Sequence, residues 1–395
     1  MPRRSILFAT GGSGGHLFPA IAVAEELQRR ANDLRLGIVA SDKEIDRSIL
    51  ARHPFERHHL ASISPGRIWQ HPWTVLSENW HAWQAARQLI REQTPAVVIG
   101  CGGFASAPLV FAAIRAGVPV VLLEQNLIPG RANVWLSRWA TRLCLSFEET
   151  LAYLPGSVQR RAAEVVTVTG NPVRQSMLPI GGYSPNGGPE SMSGRKGEAP
   201  VWEGEAGTPR SPNQLLILGG SQGARHLNEA IAEWVSTRPN ALEGWHLIHQ
   251  TGTADQPAIA QRYSPLSGFL QARAVDFITD PASDYRTATL VIARAGATTL
   301  AELACLAAPT VLVPLPSAAR DHQTANARWY ADQGAARLAT QAATPPETAR
   351  QLAEAVTPLL TDFSARQCLS HAISATARPQ AAHAVANIVL EVALS

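Results

Sequence analysis

The sequence predicts an α/β protein in which a doubly wound parallel sheet, covered by helices on both faces, occurs twice. Three observations carry this. Short β-branched runs lack in/out alternation, so the strands they form are buried on both faces. Segments of helical period separate most of them, the pattern of parallel βαβ units. The plan that begins at residue 5 begins again at residue 214.

In the first half the runs are 5–9 (SILFA), 36–40 (LGIVA), 97–100 (VVIG), 118–123 (VPVVLL), 142–146 (RLCLS) and 165–169 (VVTVT), with helical periodicity at 17–30 and 79–93. In the second half they are 214–218 (QLLIL), 245–249 (WHLIH), 272–278 (ARAVDFI), 289–293 (TLVIA) and 309–313 (PTVLV). The join, 181–213, holds eight Gly, five Pro and four Ser, with Val201 its one residue of Val, Leu or Ile type. Such a segment buries too little to offset its ordering entropy and reads as a flexible linker or insertion. The expected organisation is therefore 1–180, 181–213 and 214–395, with the last helix packing back on the first domain.

Composition narrows the function classes. At 395 residues, 46% hydrophobic and 16% charged, the chain has enough apolar material for two cores. Cys101, Cys144, Cys305 and Cys368 are widely spaced with no CxxC pair, which argues against a zinc site or a disulfide framework. A first strand at Ser5 leaves no room for a signal peptide, and no apolar run reaches 18 residues, the length needed to span a membrane. The formal net charge of +3 divides as +6 for 1–180, −1 for 181–213 and −2 for 214–395. A surplus this dispersed does not announce nucleic-acid binding, but it favours an anionic partner such as a diphosphate or an acidic lipid surface.

Glycine loops mark the entrance of each half. Thr10-Gly11-Gly12-Ser13-Gly14-Gly15-His16 follows the first strand, and Gly219-Gly220-Ser221-Gln222-Gly223-Ala224 follows the strand at 214–218. Backbone N–H groups in such turns approach a phosphate oxygen, and the helix N-terminus behind them adds partial positive charge. Neither loop ends in Gly-Lys-Ser/Thr, as an NTPase loop does. Gly100-Cys101-Gly102-Gly103-Phe104, Glu124-Gln125-Asn126 and Arg294-Ala295-Gly296 also follow expected strands. Thr299 and Glu302 stand near a helix start, where they serve either as caps or, for Glu302, as acceptor for a ribose diol.

Trp69, Trp73, Leu76, Trp80 and Trp83 recur at helical spacing. The seam is either core or, given tryptophan's preference for headgroup depth and the flanking Arg67, His71, His81 and Arg87, a face that lies on a membrane.

GGSGGH, GCGGFAS, EQN, GNPVR at 170–174, GGSQGARHLN, RAGATTLAEL and DHQTANA at 321–327 occur in the order and approximate spacing of the MurG family, and the match spans nearly the whole chain outside 181–213. The resemblance implies the GT-B fold, two Rossmann-like domains facing across a cleft. It implies an inverting transfer of N-acetylglucosamine from UDP-N-acetylglucosamine to the 4-hydroxyl of the muramoyl residue of lipid I, forming lipid II for peptidoglycan, cell shape and division. It implies work at the cytoplasmic face of the bacterial inner membrane, through a peripheral patch that includes Trp73, Leu76, Trp80 and Trp83.

The residue roles it implies divide by domain. Ser221 and Gln222 hold the nucleotide diphosphate and donor sugar, Phe277 and the Ile278 backbone recognise uracil, and Glu302 binds ribose. His322 and Gln323 lie over the sugar hydroxyls, and Arg174 is near the nucleotide. Ser13, Gly14, Gly15, Gly102 and Gly103 cradle the acceptor's diphosphate, with Asn126 at the sugar-facing edge. His16 and Glu124 are rival candidates for the catalytic base, each with a purely binding or structural alternative. Departures from the family pattern are Ser13 in place of Thr, Ala40-Ser41 in place of Gly-Thr, and a longer linker.

No Asp-x-Asp occurs in the sequence, so the transfer is expected to use neither metal nor cofactor and to rely on fixed dipoles. The alternatives are another lipid-acceptor GT-B enzyme, a UDP-N-acetylglucosamine epimerase and a non-catalytic UDP-sugar sensor. A nicotinamide oxidoreductase is disfavoured because Gly12-x-Gly14 is followed by Leu17, out of register for Gly-x-Gly-x-x-Gly.

Overall fold

The computed structural model describes residues 4–11, 14–31, 33–41, 44–60, 72–179, 213–219, 224–268, 270–278 and 281–394. Apart from Asn213, the expected linker 181–213 lies outside the described residues, as do Trp69, Ser13, Ser221 and Gln222. The chain divides into two compact units. The first is Met1–Gln175 with Arg378–Ser395, and the second is Ser176–Ala377.

The first unit holds β1 (Arg4–Ala9), β2 (Leu34–Ala40), β3 (Glu56–His59), β4 (Val97–Gly100), β5 (Val120–Glu124), β6 (Arg142–Leu145) and β7 (Val166–Val168). They form one parallel sheet in the order β3-β2-β1-β4-β5-β6-β7. The second unit holds β8 (Asn213–Leu218), β9 (Trp245–Gln250), β10 (Gln271–Val275), β11 (Leu290–Ala293), β12 (Thr310–Leu312) and β13 (Arg337–Leu338), parallel in the order β10-β9-β8-β11-β12-β13. Both orders are the Rossmann order, so each sheet reverses direction between its first strand and the strand after the third. Ligands of such sheets bind at that switch point, outside the carboxyl ends of the strands.

β1 shows why its sequence is apolar throughout. Ile6 and Phe8 point into a core shared with the helix Gly14–Arg30, while Leu7 and Ala9 point into one shared with the helices Pro72–Gln93, Ala107–Arg115 and Arg131–Leu136. Side chains alternate across a strand, so covering both faces demands an unbroken apolar run.

The helix Ala381–Leu394 packs on the helix Gly14–Arg30 and completes the first of these cores with Val385, Ala386, Val389 and Val392. Each buried valine contributes about 1.5 kcal/mol or more. Polar contacts clamp its flank: Arg30 Nη1 donates to Asn387 Oδ1 at 2.6 Å, Glu26 pairs with Arg29, Arg30 and His383, and Arg142 pairs with Glu391 at 3.0 Å.

Two expectations need correction. The run 272–278 does not stay a strand to its end: β10 stops at Val275, and the Asp276 carboxylate accepts from the Phe277 N–H at 2.7 Å, turning the chain out of the sheet. The helix Ala297–Cys305 is not capped by Thr299 or Glu302; its N-cap is Gly296, with no side-chain capping bond.

Candidate functional site

In the first unit, β1 and β4 are neighbours, so the loops that leave them meet. Cys101 N–H donates to Ala9 O at 2.8 Å, carrying the ladder one residue past β4 and setting Gly102 and Gly103 against Gly11. Both glycines adopt positive φ, 88° and 77°. A Cβ on Gly103 would stand 2.5 Å from the Gly11 Cα, and one on Gly102 would stand 2.9 Å from the His16 ring. Only glycine fits at either position. The His16 imidazole therefore lies over the Gly102–Gly103 backbone, at the start of the helix Gly14–Arg30. Its floor is completed by Gln125, whose Nε2 donates to Cys101 O at 2.8 Å while its Oε1 is buried with no partner.

Glu124 ends β5 and is 3% exposed. Its Oε1 accepts from the Asn126 N–H at 3.0 Å and from Asn126 Nδ2 at 3.4 Å; its Oε2 accepts from the Gly130 N–H at 3.0 Å and from Asn133 Nδ2 at 2.9 Å. Burial pushes its carboxyl above the ordinary value, and the four donors pull the other way. The carboxylate is thus the hub that shapes the 125–130 turn. Asn133, which the sequence did not single out, holds that turn to β5 through a second bond to Leu123 O at 2.9 Å.

Arg174 also belongs to the first unit. Its guanidinium carbon lies 4.0 Å from the centroid of the Phe18 ring, a cation–π contact, and that ring sits against Gly14.

In the second unit, Gly219 closes the end of β8, where a Cβ would meet Gln250 O at 2.8 Å and Asn228 Oδ1 at 3.1 Å. Phe277 and Ile278 follow β10, Phe277 37% exposed and Ile278 buried. Glu302 is buried at the second turn of the helix Ala297–Cys305. Past β12 the chain is pinned from several sides. Buried Arg294, its charge disfavoured so that its value falls to about 10, donates to Val313 O at 3.0 Å and Pro314 O at 3.4 Å. Gln323 Oε1 accepts from the Leu315 N–H at 3.0 Å, and Asn326 Nδ2 donates to Ala295 O at 3.2 Å. Between these anchors Arg320 and Asp321 both take φ of 57°, in the left-handed region. Consecutive non-glycine residues in that region store strain, which is characteristic of ligand-binding turns. His322 follows, its Nδ1 donating to Ala319 O at 2.8 Å, which leaves Nε2 as the ring's other hydrogen-bonding atom.

Beside Gly219, at the end of β8, lies a buried polar chain that sequence reasoning missed. Tyr263 OH donates to His249 Nδ1 at 2.7 Å, His249 Nε2 donates to Asn228 Oδ1 at 3.2 Å, and Asn228 Nδ2 donates to Thr251 O and Asp255 Oδ2, both at 2.8 Å. Every member is satisfied, so the network fixes the start of the helix Arg225–Thr237. The only signal for it was Asn228 at the end of GGSQGARHLN.

Burial drives the His249 value from 6.5 down to about 3. Between those values the unfolded chain binds a proton that the folded chain refuses, so stability falls as pH falls below 6.5. The expected loss between pH 7 and pH 5 is about 2 kcal/mol. Urea midpoints of wild type and His249→Gln across that range check it: the variant's slope should flatten, and equal slopes would remove His249 as the cause.

The patch residues divide. Trp80 is 55% exposed and Trp83 half-buried, their rings 5.0 Å apart. Trp73 and Leu76 lie in the helix Pro72–Gln93, but their side chains fall outside the described residues. No described helix is long and apolar enough to cross a membrane.

Two compact units, each built on a parallel sheet of Rossmann order, give the chain the GT-B fold. Residues 6–145 match the glycosyltransferase family 28 N-terminal domain and residues 214–385 the glycosyltransferase family 28 C-terminal domain. Among curated relatives, the UDP-N-acetylglucosamine–N-acetylmuramyl-(pentapeptide) pyrophosphoryl-undecaprenol N-acetylglucosamine transferase of Syntrophotalea carbinolica is 37% identical over 365 residues, 90% of this chain and 89% of the relative. Its counterpart in Nitratidesulfovibrio vulgaris is 36% identical over 402 residues, 97% of this chain and 96% of the relative. The crystal structure of Acinetobacter baumannii MurG is similar at a TM-score of 0.66 and 28% identity, covering 98% of this chain and 99% of that one. The chain belongs to the MurG family. A UDP-GlcNAc 2-epimerase from Neisseria meningitidis, at 12% identity and a TM-score of 0.62, shares the fold alone.

Proposed function

We propose that this chain transfers N-acetylglucosamine from UDP-N-acetylglucosamine to the 4-hydroxyl of the muramoyl residue of lipid I, with inversion, to give lipid II. The observation that carries this reading is similarity over nearly the full length to relatives that bear that activity in their names. The loops of the second unit would hold the donor. Ser221 and Gln222 with their neighbouring amides take the diphosphate, exposed Phe277 stacks on uracil beside the Ile278 backbone, and Glu302 accepts from the ribose diol. His322 Nε2 and the Gln323 amide nitrogen face the sugar hydroxyls. In the first unit, Ser13, Gly14, Gly15, Gly102 and Gly103 take the acceptor's diphosphate, with Asn126 facing the acceptor sugar, while Arg174, seated on Phe18, supplies positive charge for the nucleotide.

The two carboxyl-and-imidazole candidates take different roles in this proposal. His16 is the base that removes the acceptor hydroxyl proton, since an imidazole near neutral pH suits that transfer. Glu124, already accepting four hydrogen bonds, keeps the 125–130 turn in shape. The departing diphosphate is stabilised by the 219–224 amides and the helix behind them. An enzyme whose acceptor carries an undecaprenyl tail would work on the cytoplasmic leaflet, attached peripherally through Trp73, Leu76, Trp80 and Trp83 and favoured by anionic lipid.

The test is transfer of labelled sugar from UDP-N-acetylglucosamine to a lipid I analogue, with and without EDTA. The expected result is a disaccharide-lipid product formed equally in both. Conversion of the donor without acceptor would instead support an epimerase, and turnover restored only by magnesium would overturn the metal-free step.

A further inference from the structure

Gln125 follows β5 directly, and its side chain reaches under the glycine turn that leaves β4, where it is 3% exposed. Chemistry fixes which way its amide points. Nε2 donates to Cys101 O at 2.8 Å, and turning the amide over would set two carbonyl oxygens against each other. Oε1 is thereby held on the far side of the group, buried and accepting from nothing. Buried polar atoms are nearly always paired, so an orphan inside a candidate site points to a donor that arrives in the course of function.

That donor stands beside it. A Cβ built on Gly102 would lie 3.1 Å from Gln125 Oε1, 2.9 Å from His16 Cδ2 and 3.3 Å from His16 Nε2. The amide oxygen and the Cδ2–Nε2 edge of the imidazole therefore flank the same bare Cα, and the missing side chain is what lets both come so near. Nδ1 lies over the next residue, 3.2 Å from where a Cβ of Gly103 would be. The hydroxyl of that turn does not compete for the amide oxygen, because Ser106 Oγ donates to Gly103 O at 2.8 Å.

A neutral imidazole carries hydrogen on one nitrogen, and an imidazolium carries it on both. Once His16 has taken a hydroxyl proton, Nε2 bears a hydrogen whichever nitrogen received it, and a positive charge appears on a half-buried ring. An acceptor already fixed beside Nε2 stabilises that state above all, since a charged donor makes the stronger hydrogen bond and nothing need reorganise. An amide suits the place better than a carboxylate would. A carboxylate would favour the imidazolium before turnover and so fill the base in advance.

We propose that Gln125 is a positioning residue for the transfer. Anchored on Cys101 O, its Oε1 accepts from His16 Nε2 as the acceptor hydroxyl gives its proton to the ring, its oxygen bonds to the anomeric carbon, and the bond from that carbon to the UDP oxygen breaks. The proposal rests on the reading of His16 as the base and names what holds the ring once it is charged.

The experiment is a double-mutant cycle in the full chain, with donor and lipid I analogue both saturating. Gln125→Met keeps length and burial but loses the amide oxygen, and should lower the single-turnover rate about 10- to 100-fold, what a hydrogen bond to a charged group supplies. The acceptor KM should change by less than about twofold, because the bond forms after binding. In the His16→Ala chain the same substitution should cost less than about twofold, since the group it serves is gone. Losses of equal size in both backgrounds would make Gln125 merely structural and overturn the proposal. A slow His16→Ala beside a Gln125→Met of wild-type speed would sink it alone, whereas a His16→Ala of wild-type speed would remove the base reading and this one together. The wild type supplies a second measurement that needs no change at Gln125. In chain labelled with ¹⁵N-histidine, the His16 Nε2–H signal, assigned by its loss in His16→Ala, should be visible on acidification, because a hydrogen bonded under the turn exchanges slowly with water. A signal lost to exchange would overturn the proposal even if Gln125→Met failed to fold.

Discussion

With donor saturating, His16→Ala is expected to lower the single-turnover transfer rate by about 10²- to 10⁴-fold, the range that a positioned general base supplies. The loss should not recover as acceptor concentration rises, because the missing step is proton removal and not binding. Glu124→Gln makes the contrast. Glu124 Oε1 and Oε2 both face N–H donors, so an amide puts an NH₂ against groups that can only donate. The expected result is destabilisation of about 2–3 kcal/mol in urea unfolding, with a transfer rate that added acceptor partly restores. The reverse pattern, an acceptor-rescued His16→Ala beside a well-folded Glu124→Gln with no chemical rate, would exchange the two roles.

The second large effect is expected from Gly103→Ala. The methyl group meets the Gly11 backbone at 2.5 Å, where no side chain can swing aside, and the φ of 77° is itself unfavourable for alanine. Positive φ costs about 1–2 kcal/mol and overpacking about 1–3 kcal/mol more. The loops after β1 and β4 would have to separate, dispersing the amides proposed to bind the acceptor diphosphate. Transfer should be abolished at any practical acceptor concentration, while the second unit still responds to UDP in hydrogen exchange. Gly117→Ala is the control, since that glycine also has positive φ but nothing within 4 Å of a Cβ. If Gly103→Ala were no worse than Gly117→Ala, the close approach of the loops would carry no functional weight.

Most of the fold was legible because buried parallel strands must be apolar on both faces, and runs such as SILFA and VVIG have no other reading. What escaped were strands at sheet edges. β3 is Glu-Arg-His-His, pairs among the described strands only with β2, and owes its conformation to that partner and not to its own pattern. β13 is two residues long. At the candidate site, the glycine turns were visible as composition, but their collision was not, since Gly11 and Gly103 meet only through the register of β1 with β4. The Tyr263–His249–Asn228–Asp255 chain was hidden for a related reason. Its members come from separate elements, and a histidine inside an apolar strand gives no sign of its partners.

The docking of residues 381–394 onto the helix Gly14–Arg30 has a consequence for biogenesis. The first unit to leave the ribosome is the last able to close, because four of its core side chains arrive after the whole second unit has been made. Until then the part of that core which the last helix covers stays open to water, an invitation to chaperones or to self-association. Translation halted at residue 377 should therefore yield a chain whose second unit is sound and whose first is sticky, and supplying 378–395 as a separate peptide should restore its solubility.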